Sequence, residues 1–160
     1  IDEISEDFFD ELMSINLKGA FWGCKAAAAY MPKGGAIINI SSIAGKRGSA
    51  KNSMYCATKF GMNGLTQSLA KELGQQGIRV NALCPVLIKT EGLMEALMTD
   101  HAPANGDPES FLLNFLAANS AIGTLPEGKD VGDMAVYLAA AENRAVTGQC
   151  INIDCGVFPQ

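Results

Sequence analysis

The stretch Ser42 to Lys59 reads SIAGKRGSAKNSMYCATK. It holds a serine, a tyrosine and a lysine whose side chains could act together on a polar substrate. The apolar run before it, Ala36 to Ser41, reads as a strand, and the run after it is amphipathic. Ser42 therefore closes a strand, and Tyr55 and Lys59 lie on the first turns of a helix. Four residues apart, those two side chains project from one helix face. A hydroxyl, a phenol and an ammonium then meet at the carboxyl end of a strand, where open α/β sheets bind ligands. Ser41 competes with Ser42, but successive strand side chains face opposite ways, so only one of them reaches Tyr55.

The elements that must position these groups follow from the pattern on either side. Asp2 to Met31 reads as one long helix, with Ser5 as N-cap and Glu6 and Asp7 at the positive end of its dipole. Two apolar stripes run along it, one through Phe8, Leu12, Ile15 and Trp22, the other through Phe9, Met13, Asn16 and Ala20. A surface this wide predicts burial on two sides, against a sheet and against something else. Pro32-Lys33-Gly34-Gly35 ends the helix in a turn. The helix carrying Tyr55 and Lys59 runs from about Ser53 to Gly74. Met62, Leu65, Leu69 and Leu73 form its expected core stripe. Ala57, Gly61, Gly64 and Ser68 form a stripe of small side chains that lets another helix come close. Arg79 to Cys84 is a second strand, stopped by Pro85.

From Val86 to Leu125 the signal weakens to short helices around Leu93 to Met98 and Phe111 to Ala118, with a loop from His101 to Pro108. His101 reads as a solvated loop residue. An excursion of this length between sheet elements suits a segment that contacts substrate. Glu127 to Glu142 is a helix with Val131, Met134, Ala135 and Leu138 inward, and Gln149 to Ile153 is the last strand. Strands alternating with helices imply parallel crossover units and an α/β fold.

The 160 residues are enough for one domain with a core. The net charge of -5 and the lack of a basic patch argue against nucleic acid. No apolar run approaches the ~20 residues of a membrane span. The five cysteines, an odd number without a CxxC pair, read as reduced thiols of a cytoplasmic protein.

Several motifs in order resemble the short-chain dehydrogenases/reductases, and the resemblance covers essentially the whole chain. They are Asn16 in Ile15-Asn16-Leu17-Lys18-Gly19, the strand ending Asn39-Ile40-Ser41-Ser42, and Tyr55 thirteen residues past Ser42 in a YxxxK that ends at Lys59. Arg79-Val80-Asn81-Ala82, Thr147-Gly148 and Ile153-Asp154 match the family's later strands. The family's offset selects Ser42 over Ser41. The resemblance implies hydride transfer between NAD or NADP and a small-molecule carbonyl or secondary alcohol. Tyr55 would be the general acid or base, and Ser42 would bind the substrate oxygen together with Tyr55. Lys59 would lower the phenol's pKa and, with Tyr55, hold the cofactor. Asn16 would hold a relay water. A free tyrosine, with pKa ≈ 10, is a poor base near neutrality, and a nearby ammonium favours its phenolate.

After the second strand the family reads Pro-Gly, then a Thr four positions past the Gly. Pro85, Ile88 and Thr90 are the corresponding nicotinamide contacts here, with Val86 in place of the Gly. Cys155 likewise stands where the family commonly has Gly. No G-x-x-x-G-x-G phosphate loop is found. The resemblance thus implies a Rossmann-type doubly wound parallel sheet incomplete at its N-terminus, with residues 1–160 forming the C-terminal catalytic part of a single NAD(P)-binding domain. The start at Ile1 points the same way. One edge of the sheet would then lack its partner strand. A homo-oligomer, dimer or tetramer, is expected from the two long helices. The alternative is a non-catalytic fragment that serves only as an assembly module. A binding protein that has lost catalysis is disfavoured by the intact Asn16, Ser42, Tyr55 and Lys59.

Overall fold

The computed structural model of the chain describes residues 1–31, 34–99 and 102–159. Pro32 and Lys33 of the expected turn, and His101 of the expected loop, lie outside the described residues. Helix α1 spans Glu6–Met13 and starts where expected, with Ser5 Oγ accepting from Phe8 N at 3.2 Å. The single long helix of the sequence reading is interrupted. A π-helical turn, Ser14–Lys18, separates α1 from α2, Gly19–Ala29. Such a turn widens the helix by one residue and recurs at functional sites; Asn16 sits in its middle.

Strand β1 is Gly35–Ile40, and Ser42 caps a short 3-10 turn, Ile43–Gly45. Helix α3 is Ser53–Leu73, and strand β2 is Ile78–Pro85. Helices α4, Glu91–Leu97, and α5, Pro108–Asn119, fill the excursion. Helix α6, Gly128–Ala139, is shorter than its apolar pattern, and β3 is Cys150–Ile153. The strands lie parallel in the order β1-β2-β3, with Gly35 opposite Ile78 and Ala82 opposite Cys150. Crossovers through α3 and α6 make this a partial doubly wound sheet. Among the described residues β1 is hydrogen-bonded on one side only.

Alternation along the strands divides the core. Ile37, Ile78 and Val80 meet Cys24 of α2 and Ala70 of α3, with Leu69 and Leu73 at the rim. Arg79 points the other way, and its guanidinium donates to the carbonyls of Ala139, Ala140 and Val146 around the end of α6. The excursion has a cluster of its own around Leu97, Ala104 and Leu112.

Two packing expectations change. The face of α3 that is buried runs through Cys56, Lys59, Met62, Asn63, Thr66 and Ala70, displaced from the leucine stripe and largely polar. Only one side of the α1–α2 surface is covered among the described residues. Phe8, Ile15 and Trp22 stay exposed, and Cys24 alone in these two helices is buried. Of the small-residue stripe on α3, Gly61 makes the close contact, since a Cβ there would stand 2.9 Å from Leu17 Cδ2.

Candidate active site

The end of β1 turns directly onto α3. Ser41 and Ser42 face opposite ways, as the pleat requires. Ser41 is buried and donates to the Lys59 carbonyl at 3.3 Å. Ser42 is half-buried, accepts from Ala44 N at 3.1 Å and reaches the Pro85 carbonyl at 3.5 Å. Pro85, at the end of β2, is thereby brought beside Ser42.

One turn of α3 carries the other two groups. Lys59 is 9% exposed, and its ammonium lies 5.5 Å from the Tyr55 ring centroid, so the two side chains share a face. Burial pushes the Tyr55 phenol above its ordinary value, while a hydrogen bond with Ser42 works in the other direction. Burial pushes the Lys59 amine down. The expected lowering of the tyrosine by the lysine is not found in this chain. The reason is geometric: Lys59 Nζ donates to the Ile40 carbonyl at 3.0 Å and lies over the phenol ring, so desolvation dominates at Tyr55.

Asn16 is linked to this turn of α3 through Thr58. Its Nδ2 donates to Thr58 Oγ1 at 3.3 Å, and Thr58 donates to the Tyr55 carbonyl at 2.7 Å. The structure thus brings Ser42, Tyr55, Lys59 and Pro85 together and ties Asn16 to them by one intermediate residue. Ile88 and Thr90 lie beyond β2, and no hydrogen bond among the described residues joins them to the three central groups. Thr90 Oγ1 is the N-cap of α4, accepting from Leu93 N at 3.2 Å. Val86 does not disturb its loop. Its N–H extends the ladder to the Ile153 carbonyl at 3.1 Å, and its side chain packs with Ile43 and Val157. Cys155 does adopt the left-handed backbone that a glycine would favour, with φ 54°.

Sequence reasoning missed the buried polar residues around these groups. Asn63 donates to the Gly45 carbonyl at 2.9 Å, and Thr66 accepts from Asn39 at 2.9 Å. They recur every three or four residues with Lys59, and that spacing was the available signal. A cavity of about 770 Å³ forms a groove between the α1–α2 segment and α3 that none of Ser42, Tyr55 and Lys59 lines. No cluster of metal-ligating side chains occurs among the described residues, and all five cysteines are free thiols. No described helix is long and apolar enough to cross a membrane.

Comparison with known proteins places this arrangement in a family. A family model described as enoyl-(acyl carrier protein) reductase matches residues 1–158. Diacetyl reductase [(S)-acetoin forming] of Staphylococcus aureus is 36% identical over 98% of this chain and 62% of its own length. A short-chain dehydrogenase/reductase of Armillaria gallica is 40% identical over 98% of this chain and 59% of its own. Among solved structures, sorbitol-6-phosphate 2-dehydrogenase from Erwinia amylovora superposes with a TM-score of 0.90 at 31% identity, covering 100% of this chain and 64% of that one. 4-Hydroxyisoleucine dehydrogenase complexed with NADH and succinate does so with a TM-score of 0.81 at 28% identity, covering 98% and 61%. The chain spans about three-fifths of the length of the curated relatives it matches. It belongs to the short-chain dehydrogenase/reductase family.

Proposed function

We propose that this chain is the catalytic part of an NAD(P)-dependent oxidoreductase acting on a small-molecule carbonyl or secondary alcohol. The observation that carries the reading is the convergence of Ser42, Tyr55 and Lys59 at the carboxyl end of β1. The nicotinamide, when bound, supplies or takes up the hydride. Tyr55 gives its proton to the carbonyl oxygen in reduction and takes it back in oxidation. A phenol held above its ordinary pKa is protonated at neutral pH, the form that reduction needs. Ser42 hydrogen-bonds the same oxygen as charge develops on it. Lys59, whose amine burial pushes down, stands over the ring and serves to hold the cofactor. Asn16 holds a water that links Lys59 to solvent, a role its tie to Thr58 favours.

The residues fit the nicotinamide-ribose end of the cofactor. An ammonium has three protons, and the Ile40 carbonyl takes one of those on Lys59, which leaves donors for a diol. Tyr55, Pro85, Ile88 and Thr90 complete the proposed cofactor contacts. Of the similar solved structures, one holds NADH and another NADP. Free thiols favour a reducing, cytoplasmic setting.

The test is turnover of a panel of small carbonyls with NADH and NADPH, before and after Tyr55→Phe. Loss of about 10²–10⁴-fold with the fold retained is expected of a general acid. Retention of a tenth or more of the rate would remove Tyr55 from the chemistry. A second reading, the chain as a non-catalytic assembly module, is favoured by the exposed Phe8, Ile15 and Trp22 and by the one-sided β1. On either reading those surfaces suit a homo-oligomer, dimer or tetramer.

A further inference from the structure

The turn that carries Ser42 is fastened to α3 at a point the catalytic reading does not use. Ser42 opens the turn, and the turn's last carbonyl, that of Gly45, accepts from Asn63 Nδ2 at 2.9 Å. Asn63 lies one helical turn beyond Lys59 and is 7% exposed. Its Oδ1 faces the Cys84 thiol at 3.8 Å, which orients the carboxamide with its nitrogen toward Gly45. The contact is close. A Cβ on Gly45 would stand 2.6 Å from the Lys59 carbonyl oxygen and 2.8 Å from Asn63 Nδ2, so glycine lets the turn's backbone rest directly on the helix. On the strand side of Ser42, the Ser41 hydroxyl and the Ile40 carbonyl are held by Lys59. Asn63 holds the side beyond it. The Ser42 hydroxyl is itself tied into the turn through Ala44 N, so hydroxyl and turn move as one unit.

We propose that Asn63 is a positioning residue: by holding the Gly45 carbonyl against α3 it fixes the Ser42 hydroxyl opposite the Tyr55 phenol. The proposal rests on the roles given above to Ser42 and Tyr55, and it adds to them the residue that sets their separation.

The test reads the ionisation of Tyr55 rather than turnover. The 160-residue chain is labelled with ¹³C-tyrosine and titrated by NMR, with the exposed Tyr30 and Tyr137 as internal references and Tyr55→Phe for assignment. The hydrogen bond from Ser42 lowers the phenol's pKa. Ser42→Ala should therefore raise it. Asn63→Leu should raise it in the same direction, and adding Asn63→Leu to Ser42→Ala should raise it no further. Asn63→Gln, which keeps the donor, should return it toward the unaltered chain. An unchanged Tyr55 titration in folded Asn63→Leu would overturn the proposal, as would a shift that adds in full to that of Ser42→Ala. A merely structural asparagine moves the melting temperature and leaves the Tyr55 midpoint in place.

Should Asn63→Leu fail to fold, Asn63→Asp removes the donor at nearly equal volume. The unaltered chain gives a further reading through exchange of the Asn63 side-chain amide protons. Exchange slowed about tenfold or more relative to exposed amides is expected, and solvent-like exchange overturns the bond. Because none of these readings measures catalysis, failure of the Tyr55→Phe turnover test and failure of this proposal give separate results.

Discussion

Asn81 offers a sharp test of how the sheet end is built. It is 0% exposed on β2, yet its side chain makes no contribution to the apolar core. Its Nδ2 donates to the Val146 carbonyl at 2.9 Å and its Oδ1 accepts from Gln149 N at 3.0 Å, so one carboxamide holds both ends of the chain entering β3. Asn81→Ala leaves the Gln149 N–H without this partner, while the Val146 carbonyl keeps the Arg79 guanidinium. A buried group left unpaired costs about 1–3 kcal/mol. Gln149 is exposed, so the lower half of that range applies. The loss is about 1–2 kcal/mol, read as a lower urea midpoint at unchanged slope. A loss under about 0.5 kcal/mol for Asn81→Ala would refute the clamp.

Three shorter predictions follow from single observations. Cys155→Gly should stabilise the chain by about 0.5–1 kcal/mol in urea unfolding, because a residue at φ 54° carries left-handed strain that glycine lacks. Gly45→Ala should destabilise by about 1–3 kcal/mol, the usual cost of overpacking, since the obstacle at 2.6 Å is the Lys59 backbone oxygen and cannot swing aside; an unchanged melting temperature would mean that the turn stands off α3. Tyr55 has a folded-state pKa raised by burial, so its contribution is fully present below the unfolded value near 10 and is lost as pH rises through the folded value. Tyr55→Phe should accordingly lose less stability than the unaltered chain between pH 9.5 and 11, and parallel curves there would count against a buried phenol.

The strand–loop–helix frame of the site was legible because it rests on short-range rules. A strand's alternation separated Ser41 from Ser42, a helix's four-residue repeat joined Tyr55 to Lys59, and Ser5 announced the start of α1. The π-turn at Ser14–Lys18 was not legible, since nothing in Ser-Ile-Asn-Leu-Lys marks it off from an ordinary helix; its Leu17 lies against Gly61 on α3. The covered extent of α1 and α2 was not legible either. An apolar stripe states that a face prefers burial, and it cannot state which chain segment does the covering.

The displaced face of α3 has a more general cause. Met62, Leu65, Leu69 and Leu73 drew the expected core stripe, and Met62 is buried, but the helix packs its N-terminal half against the end of β1, where the backbone turns and leaves carbonyls facing inward. A buried carbonyl needs a donor. Lys59 therefore supplies Ile40 and Asn63 supplies Gly45, while Thr66 receives Asn39 and returns its own proton to Met62. Cys56, Met62 and, past Thr66, Ala70 beside Ile78 and Val80 are the apolar members of that face. Hydrophobic periodicity found Met62 on this face and missed the polar residues beside it, because near a sheet end the core is made in part of hydrogen-bond donors matched to turning backbone. The same matching holds the site's geometry, so in this chain the residues that defeat the apolar pattern are the ones that set Ser42, Tyr55 and Lys59 in place.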